Sequence, residues 1–247
     1  MVGHRGGKSL GPENTLSVLK KGMASGMQFL EIDIHQTADS VLVLSHDETL
    51  NRCTNGNGRI DDHTLEDIQL LDAGSWFSED FANERVPTLD AALDLVNGNC
   101  GLWIEIKGNA KEYPGLERRL VELIQVHEAQ AWVQVISFNT KALHRIHLMD
   151  STIRLQKLLV SNMAAVPWYM DTRLHWGSIK KIDFVESYGM FSRSIHPRII
   201  RKIHGWGKKV NAWTINQPAR MERLKDLGID GITTDYPDML KKVLQAK

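Results

Sequence analysis

The sequence predicts an α/β fold of the closed (β/α)8 kind, a TIM barrel, on three observations. Eight short apolar runs alternate with helical patterns along the whole chain. With 247 residues, 42% of them hydrophobic, the chain suits one barrel with a full core. No G-x-G-x-x-G follows a strand, which disfavours an open doubly wound sheet. The expected organisation is a single domain over residues 1–247 with a small insertion after the second strand, at 47–87.

The expected strands are MVGH (1–4), FLEIDI (29–34), LWIEIK (102–107), VQVIS (133–137), RLQKLLV (154–160), KIDFV (181–185), KVNAWTI (209–215) and DGITT (230–234). Between them, Leu89, Ala92, Leu93 and Val96 recur at helical spacing, as do Leu116, Leu120, Leu123 and Ile124. Pro197 and Pro218 stand where helices would begin, and Pro237 follows the last strand. In PENT, Pro12 and Glu13 are expected in the first turn of the first helix. The rhythm breaks once, after FLEIDI. There VLVLSHD (41–47) reads as a hairpin strand and the residues after it as an irregular insertion. Such insertions after a barrel strand belong to the face that carries the working residues.

Lys plus Arg and Asp plus Glu each total 30, so the net charge is zero. A neutral chain argues against nucleic acid as a partner, because phosphate backbones select a basic face. Cys53 and Cys100 are too few and too far apart for a disulfide framework. No apolar leader precedes His4 and Arg5, and the longest apolar stretch, 158–170, contains Pro167 and is too short to span a bilayer. A soluble cytoplasmic protein with a small-molecule substrate and no stable membrane insertion is expected.

Strand side chains alternate. In FLEIDI, Leu30, Ile32 and Ile34 suit the helix-facing side, which turns Glu31 and Asp33 inward. In LWIEIK the same split turns Glu105 and Lys107 inward. Three carboxylates buried at one barrel mouth need a compensating cation. Oxygen ligands without Cys or a His-x-His pair favour Mg²⁺ or Ca²⁺ over Zn²⁺. Glu31 or Glu105 could instead form a buried ion pair with Arg5 or Lys107. His4 ends the first strand and His46 the hairpin strand, and such a pair suits acid–base work near neutral pH. Arg5 and Lys107 could bind a phosphate. Asp47 could orient His46 or cap the following loop. His35 reads as a rim histidine in solvent, and His127, His144 and His147 as surface residues of helices.

HRG and PENT, then EID with a hairpin to SHDETLNRCTNG, then EIK, WTIN and DGITTDYPD, in this order, closely resemble the glycerophosphodiester phosphodiesterase family. The matches run from residue 3 to residue 238. The resemblance implies a TIM barrel and metal-dependent hydrolysis of glycerophosphodiesters to sn-glycerol 3-phosphate and an alcohol. It implies His4 and His46 as the acid–base pair, and Glu31, Asp33 and Glu105 as ligands of one divalent cation. It further implies Arg5 and Lys107 as phosphate contacts, and Asn14 and Trp213 near the substrate. One departure is Ser40 in the hairpin turn Ala38-Asp39-Ser40, where the family often has glycine, which is expected to alter the turn type. Two other readings remain open: a lysophospholipase D-type activity with an apolar groove from residues 160–170, and a non-catalytic barrel binding phosphorylated polyols. A glycosidase fits less well, since Lys107 and two histidines suit a phosphate better than an oxocarbenium ion.

Overall fold

The strand pattern predicted from alternation closes on itself in the computed structural model, which describes residues 1–108, 113–160, 169–170, 176–177 and 179–245. In chain order the elements are β1 (Val2–Gly3), α1 (Leu16–Ala24), β2 (Phe29–Gln36), β3 (Leu42–Leu44), α2 (Leu65–Gln69), α3 (Leu89–Val96), β4 (Gly101–Ile106) and α4 (Leu116–Val126). They continue with β5 (Val133–Ser137), α5 (Thr140–Met149), β6 (Arg154–Leu159), the short pair β7 (Tyr169–Met170) and β8 (Trp176–Gly177), and β9 (Ser187–Phe191). Last come α6 (Pro197–His204), β10 (Lys209–Trp213), α7 (Pro218–Asp226), β11 (Gly231–Thr234) and α8 (Pro237–Gln245).

Strands β2, β4, β5, β6, β9, β10 and β11 follow one another in parallel register, and β1 pairs with both ends of the row. Val2 stands opposite Thr233 on one side and Phe29 on the other, so two residues close the barrel. The fold is therefore a TIM barrel, with β3 an antiparallel flap on β2. The outward residues Leu30, Ile32, Ile34, Leu102, Ile104, Val133, Val135 and Leu155 are buried with the helices in one large core. The helices start where their caps say: Thr15, Thr88 and Asn139 accept first-turn amides, and α6 and α7 open on proline. None of the described helices is long and apolar enough to cross a membrane, and both cysteines are free thiols.

Three local expectations change. KIDFV is not a strand. Its Lys181 and Asp183 form an exposed ion pair, and the strand is Ser187–Phe191, where Tyr188 and Met190 face the helices. The first helix begins at Leu16 rather than within PENT, because Asn14 has φ +58° and breaks the helical path. Ser40 keeps the hairpin by taking φ +69° itself, so the missing glycine leaves an L-residue in the left-handed region. Residues 47–87 carry α2 and two single 3-10 turns around a small core of Val43, Leu50, Ile60, Ile68, Ala73 and Val86. The stretch expected to supply an apolar groove, 160–170, lies outside the described side chains except for Val160.

Candidate active site

The first strand ends at Gly3, and the chain at once turns back on itself. Arg5 has φ +50° and Gly6 φ +88°. A β-carbon on Gly6 would come within 2.6 Å of Val18 Cγ1, so the glycine serves the close packing of this turn against α1. The turn delivers His4 and Arg5 to the strand ends. His4 Nδ1 lies 2.6 Å from Asp235 Oδ1 at the end of β11. The Arg5 backbone N–H donates to Glu31 Oε2 at 2.9 Å, its Nη1 donates to Glu13 Oε1 at 2.6 Å, and its Nε lies 3.5 Å from Asp33 Oδ2.

Strands β2 and β4 supply the carboxylates. Asp33 stands directly opposite Glu105 in the register. Lys107 Nζ lies 2.9 Å from Asp33 Oδ1 and donates to Glu105 Oε1 at 2.7 Å. Part of the charge is thus met by ion pairs. The remainder fits a hard divalent cation. Glu31, Asp33 and Glu105 each offer an oxygen, and these lie within 4.8 Å of one another. Glu31 Oε1 is buried with no hydrogen-bond donor among the described residues. Asn14 is buried beside them. Its Nδ2 donates to Asp33 Oδ2 at 3.0 Å and its Oδ1 accepts from the Asp33 N–H at 3.2 Å. Both ends of its amide hold Asp33, so Asn14 sits behind the carboxylate rather than in the open mouth.

The hairpin brings the second histidine. His46 Nδ1 lies 2.7 Å from Asp47 Oδ1, and Arg52 Nε donates to Asp47 Oδ2 at 2.6 Å. Arg52 Nη2 also donates to Glu13 Oε1 at 2.7 Å, so a chain of charges runs from Asp47 through Arg52, Glu13 and Arg5 to Asp33. Of the two roles left open for Asp47, contact with the His46 ring is the one seen. His35 is not in solvent: it is 3% exposed, its Nε2 lies 3.2 Å from the His46 carbonyl, and its Nδ1 lies 2.7 Å from the Tyr113 hydroxyl. A carbonyl only accepts, so His35 carries its proton on Nε2, and neutral Nδ1 accepts from Tyr113. Desolvation pushes the His35 pKa down, consistent with that neutral ring.

The proton affinities follow from burial and charge. Burial raises Glu31, and the neighbouring Asp33 raises it further. Burial also raises Asp33, but Lys107 and Arg5 outweigh it and hold the group well below the usual carboxylate range. Burial lowers His4, yet Asp235, Glu31 and Asp33 turn the net shift upward. His46 moves down, through burial and then the charges of Lys107 and Arg5 against the opposing pull of Asp33. The Arg52 hydrogen bond keeps Asp47 low.

Beyond the charges, Trp213 packs edge-on against Phe138 at 5.6 Å and tilts on Phe191 at 5.7 Å. Its indole N–H is buried without an acceptor among the described residues. Trp213, Phe138 and Leu158 line a cavity at the mouth together with His4, Glu31 and Glu105.

The profile of the Glycerophosphoryl diester phosphodiesterase family matches residues 4–239. The chain belongs to this family. Glycerophosphodiester phosphodiesterases of Caldanaerobacter subterraneus and Bacillus subtilis are 35% and 32% identical to it. The alignments cover 97% and 98% of this chain, and 95% and 85% of those proteins. A solved phosphodiesterase of Oleispira antarctica, in complex with the product sn-glycerol-3-phosphate, superposes with a TM-score of 0.87 at 27% identity, covering 99% of this chain and 96% of that one. Family membership makes the chain a phosphodiesterase and matches the TIM barrel described above.

Three residues beside this site were not read from the sequence as site residues: Asp235, Glu13 and Arg52. Asp235 was within reach, since continuing the inward parity of Gly231 and Thr233 past the end of β11 turns it into the mouth. Glu13 and Arg52 meet across 39 positions of sequence and carry no local signal.

Proposed function

We propose that this enzyme hydrolyses glycerophosphodiesters to sn-glycerol 3-phosphate and an alcohol, with His4 and His46 as its acid–base pair. The observation that carries this reading is a shared geometry. Each histidine is bonded through Nδ1 to a carboxylate, Asp235 or Asp47, which leaves Nε2 of both rings for proton transfer beside the acidic cluster. One Nε2 takes a proton from the nucleophile, water or a neighbouring glycerol hydroxyl. The other gives a proton to the departing alkoxide. A divalent cation, Mg²⁺ or Ca²⁺, held by Glu31, Asp33 and Glu105 would offset charge on a phosphoryl oxygen. Lys107 and Arg5 place positive charge at the same spot while Asn14 keeps Asp33 in position. Trp213 lines the cavity against the substrate's carbon atoms.

Residues 1–247 act as one catalytic domain, and segment 47–87 flanks the mouth through Arg52. The substrate is a small molecule and the compartment the cytoplasm, consistent with the neutral charge and the absence of a membrane-crossing helix among the described residues. The direct test is release of sn-glycerol 3-phosphate from glycerophosphocholine and glycerophosphoethanolamine. Release from both, and none from lysophosphatidylcholine, is expected. Turnover that rises with acyl chain length would move the assignment to single-chain lipids.

A further inference from the structure

One layer of the barrel interior is used by none of these steps. Gln134 on β5, Gln156 on β6, Ser187 on β9 and Asn211 on β10 are all buried. They occupy inward positions that barrels of this kind ordinarily fill with branched apolar side chains. Gln134 Nε2 donates to Ser187 Oγ at 3.0 Å, Ser187 Oγ donates to Gln156 Oε1 at 2.9 Å, and Asn211 Nδ2 donates to that same oxygen. Room for the amides comes from two strand glycines. A β-carbon on Gly231 would strike Asn211 Oδ1, and one on Gly189 would lie 2.8 Å from Gln156 Nε2. Glycine within a strand weakens it, so the amide array is kept at some cost in stability.

The array fixes the Gln156 amide. Its oxygen is claimed by two donors, so its NH₂ is the end left over, and among the described residues that NH₂ donates to no protein group. Gln156 also lines the mouth cavity, with Glu105, His4, Leu158 and Trp213. The register row that starts at Asp33 passes through Glu105 and Ile136 and arrives at Gln156. A neutral N–H donor in the cavity wall recognises an oxygen acceptor on the substrate. It has nothing to offer a quaternary ammonium, which can donate no hydrogen bond and accept none. Phosphate belongs to the charged half of the mouth, where Arg5 and Lys107 stand.

Resting on the phosphodiesterase reading, we infer that Gln156 determines specificity by donating its Nε2 hydrogen bond to a hydroxyl of the substrate's polyol half, which it holds in the mouth cavity. The enzyme then selects glycerol-bearing phosphates over phosphates of simple alkyl alcohols.

The test compares binding of sn-glycerol 3-phosphate and of propyl phosphate, which lacks both hydroxyls, to the cation-loaded enzyme by titration calorimetry. Wild type binds the glycerol compound more tightly. Gln156→Met keeps the side-chain length and removes the donor. It weakens glycerol 3-phosphate roughly tenfold, as loss of one hydrogen bond to a polar site does, and leaves propyl phosphate within about twofold. Ser187→Ala, which removes one of the two donors that hold the amide without altering the cavity wall, shifts the same ratio in the same direction by a smaller factor, and it decides the matter should Gln156→Met not fold. Equal weakening of both ligands, or unchanged preference in both variants, overturns the role of Gln156 alone. Wild type binding neither phosphate overturns the phosphodiesterase reading with it.

Discussion

The two halves of the barrel mouth are built on opposite principles. Strands β1, β2 and β4, with the β3 flap, present His4, Glu31, Asp33, Glu105, Lys107 and His46. Strands β5, β6 and β10 present Ile136, Leu158, Gln156 and Trp213, with no ionisable group among the residues that line the cavity there. The charged half is crowded with mutual contacts: Arg5 serves Glu13, Glu31 and Asp33, and Lys107 serves Asp33 and Glu105. The uncharged half is held by ring packing and amide hydrogen bonds. A phosphodiester has the same two-part character, an anionic centre between two carbon skeletons. In our account the charged half carries the bond cleavage and the uncharged half selects what is cleaved, so substitutions in the two halves separate in kcat and KM.

The largest separation is expected at Asp235. Asp235→Asn keeps the shape but replaces an acceptor-only carboxylate by an amide that can turn its NH₂ to His4 Nδ1 and stabilise the wrong tautomer, and kcat falls about a hundredfold with KM within about threefold. Steady-state kinetics on glycerophosphocholine reads this out, and activity within twofold of wild type would break the assignment of His4. In the uncharged half, Trp213→Leu raises KM roughly tenfold and leaves kcat within about threefold, because it removes apolar contact area and no charge. A loss confined to kcat would erase the distinction between the halves.

The charged half also leaves a mark on stability. Glu13 is held at about 2, where burial alone would raise it, by the Arg52 hydrogen bond and the charge of Arg5. A carboxylate depressed in the folded state contributes stability that is present above its unfolded pKa, near 4.5, and lost as pH falls toward the folded value. The shift corresponds to about 3 kcal/mol. Urea unfolding between pH 6 and pH 2.5 is expected to lose stability more steeply in wild type than in Glu13→Gln, and parallel curves would show that the network contributes nothing. The smallest effect lies at the rim. Ser40→Gly relieves a left-handed L-residue and raises stability by about 1 kcal/mol without touching kcat. A destabilised variant in the same urea experiment would contradict that reading.

Most of the fold was legible because strand parity is a local property. Alternation in FLEIDI and LWIEIK assigned the correct faces to Glu31, Asp33, Glu105 and Lys107. KIDFV misled because it has the alternation of a strand, while its charged residues lie at the surface and the buried alternation starts only at Ser187. Asn14 was placed near the site by resemblance, but its work on Asp33 depends on a left-handed backbone that composition does not announce. His35 looked like a rim residue because the hydroxyl that buries it, that of Tyr113, lies 78 positions along the chain. The Glu13–Arg52 contact was invisible for the same reason. Local patterns assigned side chains to faces of the barrel, and only the closed barrel brought distant pairs together.

The most direct test of the central claim is release of sn-glycerol 3-phosphate from glycerophosphocholine in the presence of a chelator, followed by readdition of Mg²⁺ or Ca²⁺. The account predicts that release stops with the chelator and returns with the cation, because Glu31, Asp33 and Glu105 hold more negative charge than Arg5 and Lys107 offset. Release that continues unchanged in the chelator would contradict the cation site and, with it, the division of labour between the two halves of the mouth.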